Sequence, residues 1–289
     1  MENLSIVIPV YNEEEAIGET VKFFENFVEK NPKVEVIFIN DGSTDKTVQI
    51  LNTIQKENIK IISQPKNKGY GAAIKKGVMN SSYEYIAITD ADSSYPHDKI
   101  PELFKKLVEE NADMSVGART GKVVGGGIFR KLGKYILRKL AEYLSEEEIP
   151  DLNSGLRIVK KELILKFLRY LPNKFSFTTT LTLSLLANSY KIVYLPIDYY
   201  KRRGRSKIKP ISDTLNFLQL IVRTVMFFNP LKVFLPLSIF FILLSLSVLV
   251  ITYFLGRVMD ITTLLLFVTG LNFLAIGFLA DLIDKRLTG

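Results

Sequence analysis

Two segments near the C-terminus carry no charged side chain at all: Val233–Leu255 and Ile261–Ala280. As helices at about 1.5 Å per residue they reach about 34 and 30 Å, and a bilayer core is about 30 Å thick. Only Gly256-Arg257-Val258-Met259-Asp260 separates them, so the expectation is a tight antiparallel transmembrane hairpin. A pair of buried core helices is the alternative, and their length and lack of charge disfavour it. A mean hydropathy of +0.17 is high for a wholly soluble chain and agrees with the spans.

Basic residues set the expected orientation. Lys201, Arg202, Arg203, Arg205, Lys207, Lys209, Arg223 and Lys232 precede the first span, and Lys285 and Arg286 follow the second. The connecting loop has Arg257 alone, offset by Asp260. The positive-inside rule then places both termini and the bulk of the chain in the cytoplasm, as a multi-pass protein of the plasma membrane. Met1-Glu2-Asn3 lacks a basic n-region and Leu4–Val10 is too short for a signal peptide. Just before the hairpin, Leu215, Leu218, Ile221, Val222, Val225 and Met226 recur at helical spacing between Pro210 and Asn229-Pro230. We expect an interfacial helix over 211–230; an ordinary amphipathic helix packed on the preceding domain has the same periodicity.

Composition removes several chemistries. With no cysteine there are no disulfides, thiolate metal sites or cysteine nucleophiles. A single histidine, His97, excludes multi-histidine metal centres and disfavours a Ser-His-Asp triad. The formal charge of +8 suggests anionic partners such as phosphates, nucleotides, acidic lipid or nucleic acid.

The first 120 residues alternate strand and helix. Strands are expected at Ser5–Val10, Val34–Ile39, Ile59–Ser63 and Tyr83–Thr89, with a fifth ending at Gly117-Ala118-Arg119. Helices are expected at Glu13–Lys30 with Asn12 as N-cap, at Thr44–Glu57 with Ser43 or Thr44 as cap, and at Gly71–Met79. This rhythm implies a parallel sheet covered on both faces, which binds ligands beyond the carboxyl ends of its strands. Polar motifs sit at those ends: Pro9-Val10-Tyr11-Asn12-Glu13, Asn40-Asp41-Gly42-Ser43-Thr44-Asp45 and Asp90-Ala91-Asp92. Neither G-x-G-x-x-G after the first strand nor G-x-x-x-x-G-K-[ST] occurs, so a plain dinucleotide fold and a P-loop are excluded.

Asp90 and Asp92, two residues apart on a turn leaving the sheet, can converge on one hard cation, Mg²⁺ or Mn²⁺, that also takes oxygens from a diphosphate. Taken alone, the pair equally reads as a solvated acidic turn. Asp41 reads either as turn chemistry with Gly42 or as a carboxylate accepting hydrogen bonds from a nucleotide, and the two are compatible.

In combination, Ile6–Glu14, Asn40–Asp45, Asn67-Lys68-Gly69 and Thr89–Asp92 resemble the pattern of glycosyltransferase family 2. Asp151-Leu152-Asn153-Ser154-Gly155-Leu156-Arg157 and Arg202-Arg203-Gly204-Arg205-Ser206-Lys207 are similar to acceptor-side segments of its polyprenyl-phosphate (dolichol-phosphate) hexose synthase subgroup, which includes dolichol-phosphate mannose synthase. The resemblance implies an α/β fold of GT-A (Rossmann-like) type with a mainly parallel sheet over residues 1–210, followed by the interfacial helix and the hairpin over 231–289. It implies transfer of a hexose with inversion from a nucleotide sugar of the GDP-mannose or UDP-glucose type to a polyprenyl or dolichyl monophosphate. Pro9, Tyr11, Glu13, Asp41, Lys68, Asp90 and Ala91 would hold the nucleotide. Asp90, Asp92 and Ser94 would face the metal, Ser94 standing where the subgroup often has Gln. Ser154 would serve the acceptor phosphate.

A phosphate acceptor is mostly dianionic at neutral pH and needs no dedicated base. It needs cations to hold it in line with the anomeric carbon, and Arg119, Arg202 or Arg203, and Lys207 are the candidates. The basic run Arg119, Lys122, Arg130, Lys131, Lys134, Arg138 and Lys139 reads either as a membrane-facing surface or as a solvated helix face. Arg202–Lys207 also reads as positive-inside anchoring alone. Three rival functions stand beside this one. A polymer synthase would use a sugar hydroxyl as acceptor, and its usual Q-x-x-R-W motif is impossible in a chain without Trp. An idle membrane scaffold or nucleotide-sugar sensor is disfavoured by the intact aspartate pair. A nucleic-acid binder is suggested only by the charge, so no nucleic-acid partner is expected. A homo-oligomer is compatible with the pattern. The orientation predicts that Met259→Cys is labelled by an impermeant thiol reagent on intact cells while Gly289→Cys is not; the reverse pattern overturns the topology.

Overall fold

The structure is a computed structural model. It describes residues 3–119, 150–174, 176–200, 230–256 and 260–288, together with 135, 138–140, 142, 143 and 145–149. Of the interfacial helix expected over 211–230, all but Pro230 lies outside the described residues, and so do Arg202, Arg203 and Lys207.

Among the described residues seven strands form one sheet: β1 (Leu4–Val10), β2 (Val34–Asn40), β3 (Ile59–Ser63), β4 (Tyr85–Ile88), β5 (Met114–Arg119), β6 (Arg157–Lys160) and β7 (Ile192–Ile197). Their order is β3-β2-β1-β4-β6-β5-β7. β1 pairs in parallel with β2 and β4, β2 with β3, and β5 with β7. β6 alone runs antiparallel, between β4 and β5, so the sheet is mainly parallel. The helices of this part are α1 (Ile17–Lys30), α2 (Thr47–Leu51), α3 (Tyr70–Met79), α4 (Ile100–Glu109), α5 (Lys161–Phe167) and α6 (Phe177–Ala187).

The strands are apolar on both sides because both faces are covered. Val7, Ile37, Ile39, Ile86 and Val116 pack with α3, α5 and α6, while Ile6, Ile8, Val36, Phe38 and Ile158 pack with α1 and α4. α3 lies directly on β1: a Cβ added at Gly77 would fall 2.3 Å from Val7 Cγ1.

Two helices are shorter than their sequence pattern. α1 starts at Ile17 rather than Glu13, because Glu13 O closes a turn by accepting the N–H groups of Ala16 and Ile17. Asn12 adopts a positive φ of 52° and is not its cap; its side chain instead accepts the Thr44 N–H at 2.7 Å. That use of Thr44, and of Ser43 as acceptor for the Asn12 N–H at 3.0 Å, removes both from capping α2. Asp45 Oδ1 takes that place, accepting the Thr47 N–H at 3.0 Å.

At the C-terminus α7 (Leu231–Phe254) and α8 (Asp260–Thr288) are each long and apolar enough to cross a membrane. They pack antiparallel on small residues. Gly270 sits where a Cβ would be 2.7 Å from Ile242 Cγ1, Gly277 where it would be 2.8 Å from Phe234 Cβ, and Ser245 Oγ donates to Thr263 O at 2.8 Å. Most of their remaining surface is exposed apolar side chain, as lipid contact requires.

The contact at Gly77 yields a stability test. Gly77→Ala should cost about 1–3 kcal/mol through overpacking, and less in a Val7→Ala background that removes the methyls it meets; a denaturation double-mutant cycle measures the difference.

Candidate active site

The carboxyl ends of β2, β1 and β4 lie side by side at mid-sheet, Val10 level with Asn40 and Val7 with Ile88. The three polar motifs therefore meet at one edge. The loops after β1 and β2 are knit together: besides the Asn12 bonds, the Glu13 N–H donates to Thr47 Oγ1 at 2.9 Å and the Lys46 N–H to Glu14 Oε2 at 3.0 Å. Pro9, Tyr11 and Glu13 are half-buried on this rim.

Asp41 is buried at the end of β2. Its N–H donates to Val10 O at 2.8 Å. Its carboxylate accepts from Gln64 Nε2 at 3.0 Å and from the backbone N–H groups of Lys68 and Gly69, both at 2.8 Å. It therefore holds the 64–69 loop over the turn. Gly42, with φ +71°, is required beneath that loop, since a Cβ there would lie 2.6 Å from Lys66 C. Lys68 itself is exposed.

At the end of β4, Asp90 is half-buried and Asp92 is 5% exposed. Tyr70 OH donates to Asp90 Oδ1 at 2.9 Å. Ser94 donates to Asp92 Oδ1 from its N–H at 3.1 Å and its hydroxyl at 2.5 Å. Ser94 is fully buried with its hydroxyl on Asp92. Ala91 O accepts from Thr20 Oγ1 at 3.0 Å. His97 lies behind the turn against Phe23 and Phe24, its Nε2 3.2 Å from Asp90 O. A carbonyl only accepts, so that nitrogen carries the proton. Burial pushes the His97 pKa below its usual value, keeping the ring neutral. Among the described residues no three His, Asp or Glu side chains converge to enclose an ion unaided. The two carboxylates are oxygen donors suited to Mg²⁺ or Mn²⁺, which fill their other positions with water and diphosphate oxygens.

Arg119, at the carboxyl end of β5, is gripped by Asp151 through Nε at 2.6 Å and Nη2 at 2.9 Å, and lies 5.2 Å from the Tyr199 ring centroid. Burial raises the Asp151 pKa, but the Arg119 guanidinium outweighs it and holds the carboxyl below the usual range. The Tyr200 N–H donates to Ser94 O at 3.0 Å, so the chain just before the basic Lys201–Lys207 run is bonded to the aspartate turn. Ser154 is wholly buried, and its carbonyl accepts from the Arg157 guanidinium. Arg157, itself fully buried, also donates to Thr178 O and Thr182 Oγ1, both at 2.8 Å.

The structure thus brings Pro9, Tyr11, Glu13, Asp41, Lys68, Asp90, Ala91, Asp92 and Ser94 to one edge, with Arg119 and Ser154 on the β5–β6 side. Sequence reasoning missed Tyr70, Gln64 and the pairing role of Asp151. Tyr70 stands directly after the Asn67-Lys68-Gly69 motif, where its type and spacing give no sign of a partner. Gln64 has no sequence signal, because its partner sits at the end of the neighbouring strand, 23 residues away in the chain.

This arrangement, a strand-end aspartate pair on a Rossmann-like mixed sheet, is the GT-A glycosyltransferase architecture. Residues 5–168 match the family model "Glycosyl transferase family 2", and the chain belongs to that family. Residues 229–285 match the model "GtrB C-terminal hairpin", which with the two apolar helices points to membrane association. The low-salt glycan biosynthesis hexosyltransferase Agl6 of Haloferax volcanii is 26% identical over 214 residues, 73% of this chain and 51% of that protein. A dolichyl-phosphate hexose transferase of the same organism is 28% identical over 214 residues, 73% of this chain and 89% of that protein. The bactoprenol glucosyl transferase of Shigella phage SfV is 31% identical over 174 residues, 59% of this chain and 56% of that protein. The chain thus spans little more than half the length of two of these relatives. Glucosyl-3-phosphoglycerate synthase of Mycobacterium tuberculosis, solved with Mn²⁺, UDP and glucosyl-3-phosphoglycerate, superposes with a TM-score of 0.60 at 20% identity over 78% of this chain and 79% of that one, a likeness of fold.

The Arg119–Asp151 pair predicts an acid limb. A carboxyl depressed in the folded state stabilises it fully above its unfolded pKa of about 3.9, and that contribution is lost as pH falls from there through the lower folded value. Asp151→Asn should therefore lower stability at neutral pH and flatten its decline in that acidic window, read from denaturant midpoints across pH.

Proposed function

We propose that this chain moves a hexose, with inversion, from a nucleotide sugar to a polyprenyl or dolichyl monophosphate at the membrane surface. The observation that carries the reading is the aspartate turn, to which the chain leading into Arg202-Arg203 is hydrogen-bonded through Tyr200 and Ser94. The chain that enters the basic segment is thereby fixed to the aspartate turn at Tyr200, and in the sequence the membrane hairpin follows that segment. The names of the Haloferax and Shigella phage relatives support the same chemistry.

Pro9, Tyr11, Glu13 and Lys68 flank the nucleoside. Asp41 keeps a lone pair for it beyond the three bonds it already accepts. Asp90 and Asp92, with Ala91 between them, face the sugar diphosphate and a divalent cation, Mg²⁺ or Mn²⁺, with Ser94 beside them. The cation supplies neutralisation of charge on the leaving nucleoside diphosphate. A phosphate oxygen of the lipid attacks the anomeric carbon as the bond to the nucleoside diphosphate breaks, so the product is a lipid-phosphate-linked sugar. Arg119, Arg202, Arg203 and Lys207 orient that phosphate, with Ser154 on the same side. Asp151, by fixing the Arg119 fork, leaves its remaining N–H groups for the acceptor. Residues 1–210 form the catalytic domain, 211–230 the interfacial helix and 231–289 the hairpin, with the catalytic domain and both termini in the cytoplasm.

The test is transfer by purified protein from GDP- and UDP-sugars to polyprenyl phosphate, followed by mass. EDTA and Asp92→Ala should each nearly abolish it, and Mg²⁺ or Mn²⁺ should restore the EDTA-treated enzyme. Arg202→Ala should slow it about 10- to 150-fold at limiting lipid, from about 1.5–3 kcal/mol for one charged contact, and Arg202→Ala/Arg203→Ala by at least as much. Full activity in EDTA removes the metal role, and full activity of the double variant reduces the two arginines to membrane anchors.

A further inference from the structure

The two carboxylates of the Asp90-Ala91-Asp92 turn share one feature: a hydroxyl donates to Oδ1 of each. For Asp90 it comes from Tyr70 at 2.9 Å, and for Asp92 from Ser94 at 2.5 Å. Both hydroxyls stand on rigid backbone. Tyr70 opens α3, and its neighbours leave no room to shift. A Cβ at Gly71 would lie 2.1 Å from Pro172 O, one at Gly69 would lie 2.6 Å from Asn173 O, and the Ala72 N–H donates to Asn173 O at 2.9 Å. Ser94 is fully buried, with its own carbonyl held by Tyr200. On its other side Asp90 meets Gly155, where a Cβ would fall 2.9 Å from Oδ2. Asp90 is thus confined between a phenol and a glycine, and Asp92 is held by its own turn.

We infer that Tyr70 and Ser94 are positioning residues that fix the rotamers of Asp90 and Asp92 for a divalent cation, Ser94 acting through Asp92 rather than as a metal ligand. Two like charges two residues apart would otherwise swing away from each other, and a hydroxyl on one oxygen of each opposes this before any ion arrives. A hydroxyl spent on Asp92 in a fully buried side chain is poorly placed to serve as a donor in its own right. Partners of this kind typically govern metal affinity by about 10- to 100-fold. The inference rests on the metal role proposed above.

The experiment measures the Mn²⁺ concentration giving half-maximal binding of UDP or GDP, whichever the wild type binds, by calorimetry on the full-length protein in detergent. Tyr70→Phe and Ser94→Ala should each raise that midpoint about 10- to 100-fold, with nucleotide binding recovered at excess Mn²⁺. Ser94→Thr, which keeps the hydroxyl, should stay near the wild-type midpoint. If wild-type binding depends on Mn²⁺ but both deletions leave the midpoint unchanged and lower only thermal stability, the two hydroxyls are structural and the inference falls. If wild-type nucleotide binding does not depend on Mn²⁺ at all, the metal role itself falls, and the inference with it.

Discussion

Asp41 leaves β2 with its N–H on Val10 O and its carboxylate on Gln64, Lys68 and Gly69, so one buried residue, through backbone and side chain together, ties the ends of β1 and β2 to the loop after β3. Tyr70 follows Gly69 directly, and its hydroxyl reaches Asp90 at the end of β4. The crevice is therefore built as a relay across four adjacent strands, each loop positioned by the one before it. Isolated strand-end loops would be mobile. Here backbone N–H groups satisfied by carboxylates and side-chain oxygens replace that mobility with a fixed rim, and much of the polar content of the motifs is consumed in this way.

Charge is divided between two tasks. Arg119, half-buried, and Arg157, fully buried, are held by defined acceptors, Asp151 for one and carbonyl and hydroxyl oxygens for the other. Surface lysines such as Lys56, Lys99 and Lys139 are ion-paired with surface carboxylates, and screening leaves such pairs little energetic weight. A phosphate-bearing lipid would meet a diffuse attraction at the surface and the half-buried Arg119 fork within, while Arg157 is wholly enclosed.

The sheet was legible because fully buried strands read as continuous apolar runs. Ile59–Ser63 and the end of the fifth strand at Arg119 fall where the pattern places them. β6 was not legible: Arg-Ile-Val-Lys is four residues long, and its antiparallel insertion between β4 and β5 follows from distant pairing that no local pattern encodes. The caps failed for a similar reason. Asn12, Ser43 and Thr44 are good caps locally, but their oxygens and N–H groups bond across two loops 31 or 32 residues apart. At the site, carboxylates were found by type and spacing. Tyr70 and Gln64 were not, because a phenol or an amide declares its use only once its partner is beside it.

β5 ends at Arg119 and β6 begins at Arg157, and because β6 runs antiparallel to β4 and β5 the chain departs and returns at the same edge of the sheet. The Arg119–Asp151 pair latches the two stems together. Anything strung between those stems is an excursion that the sheet does not have to accommodate. Doubling the length of such an excursion costs only about 0.6 kcal/mol of closure entropy. The link between the two stems is thus a place where a lineage can lengthen, shorten or recharge the chain while the strands and the aspartate turn stay untouched.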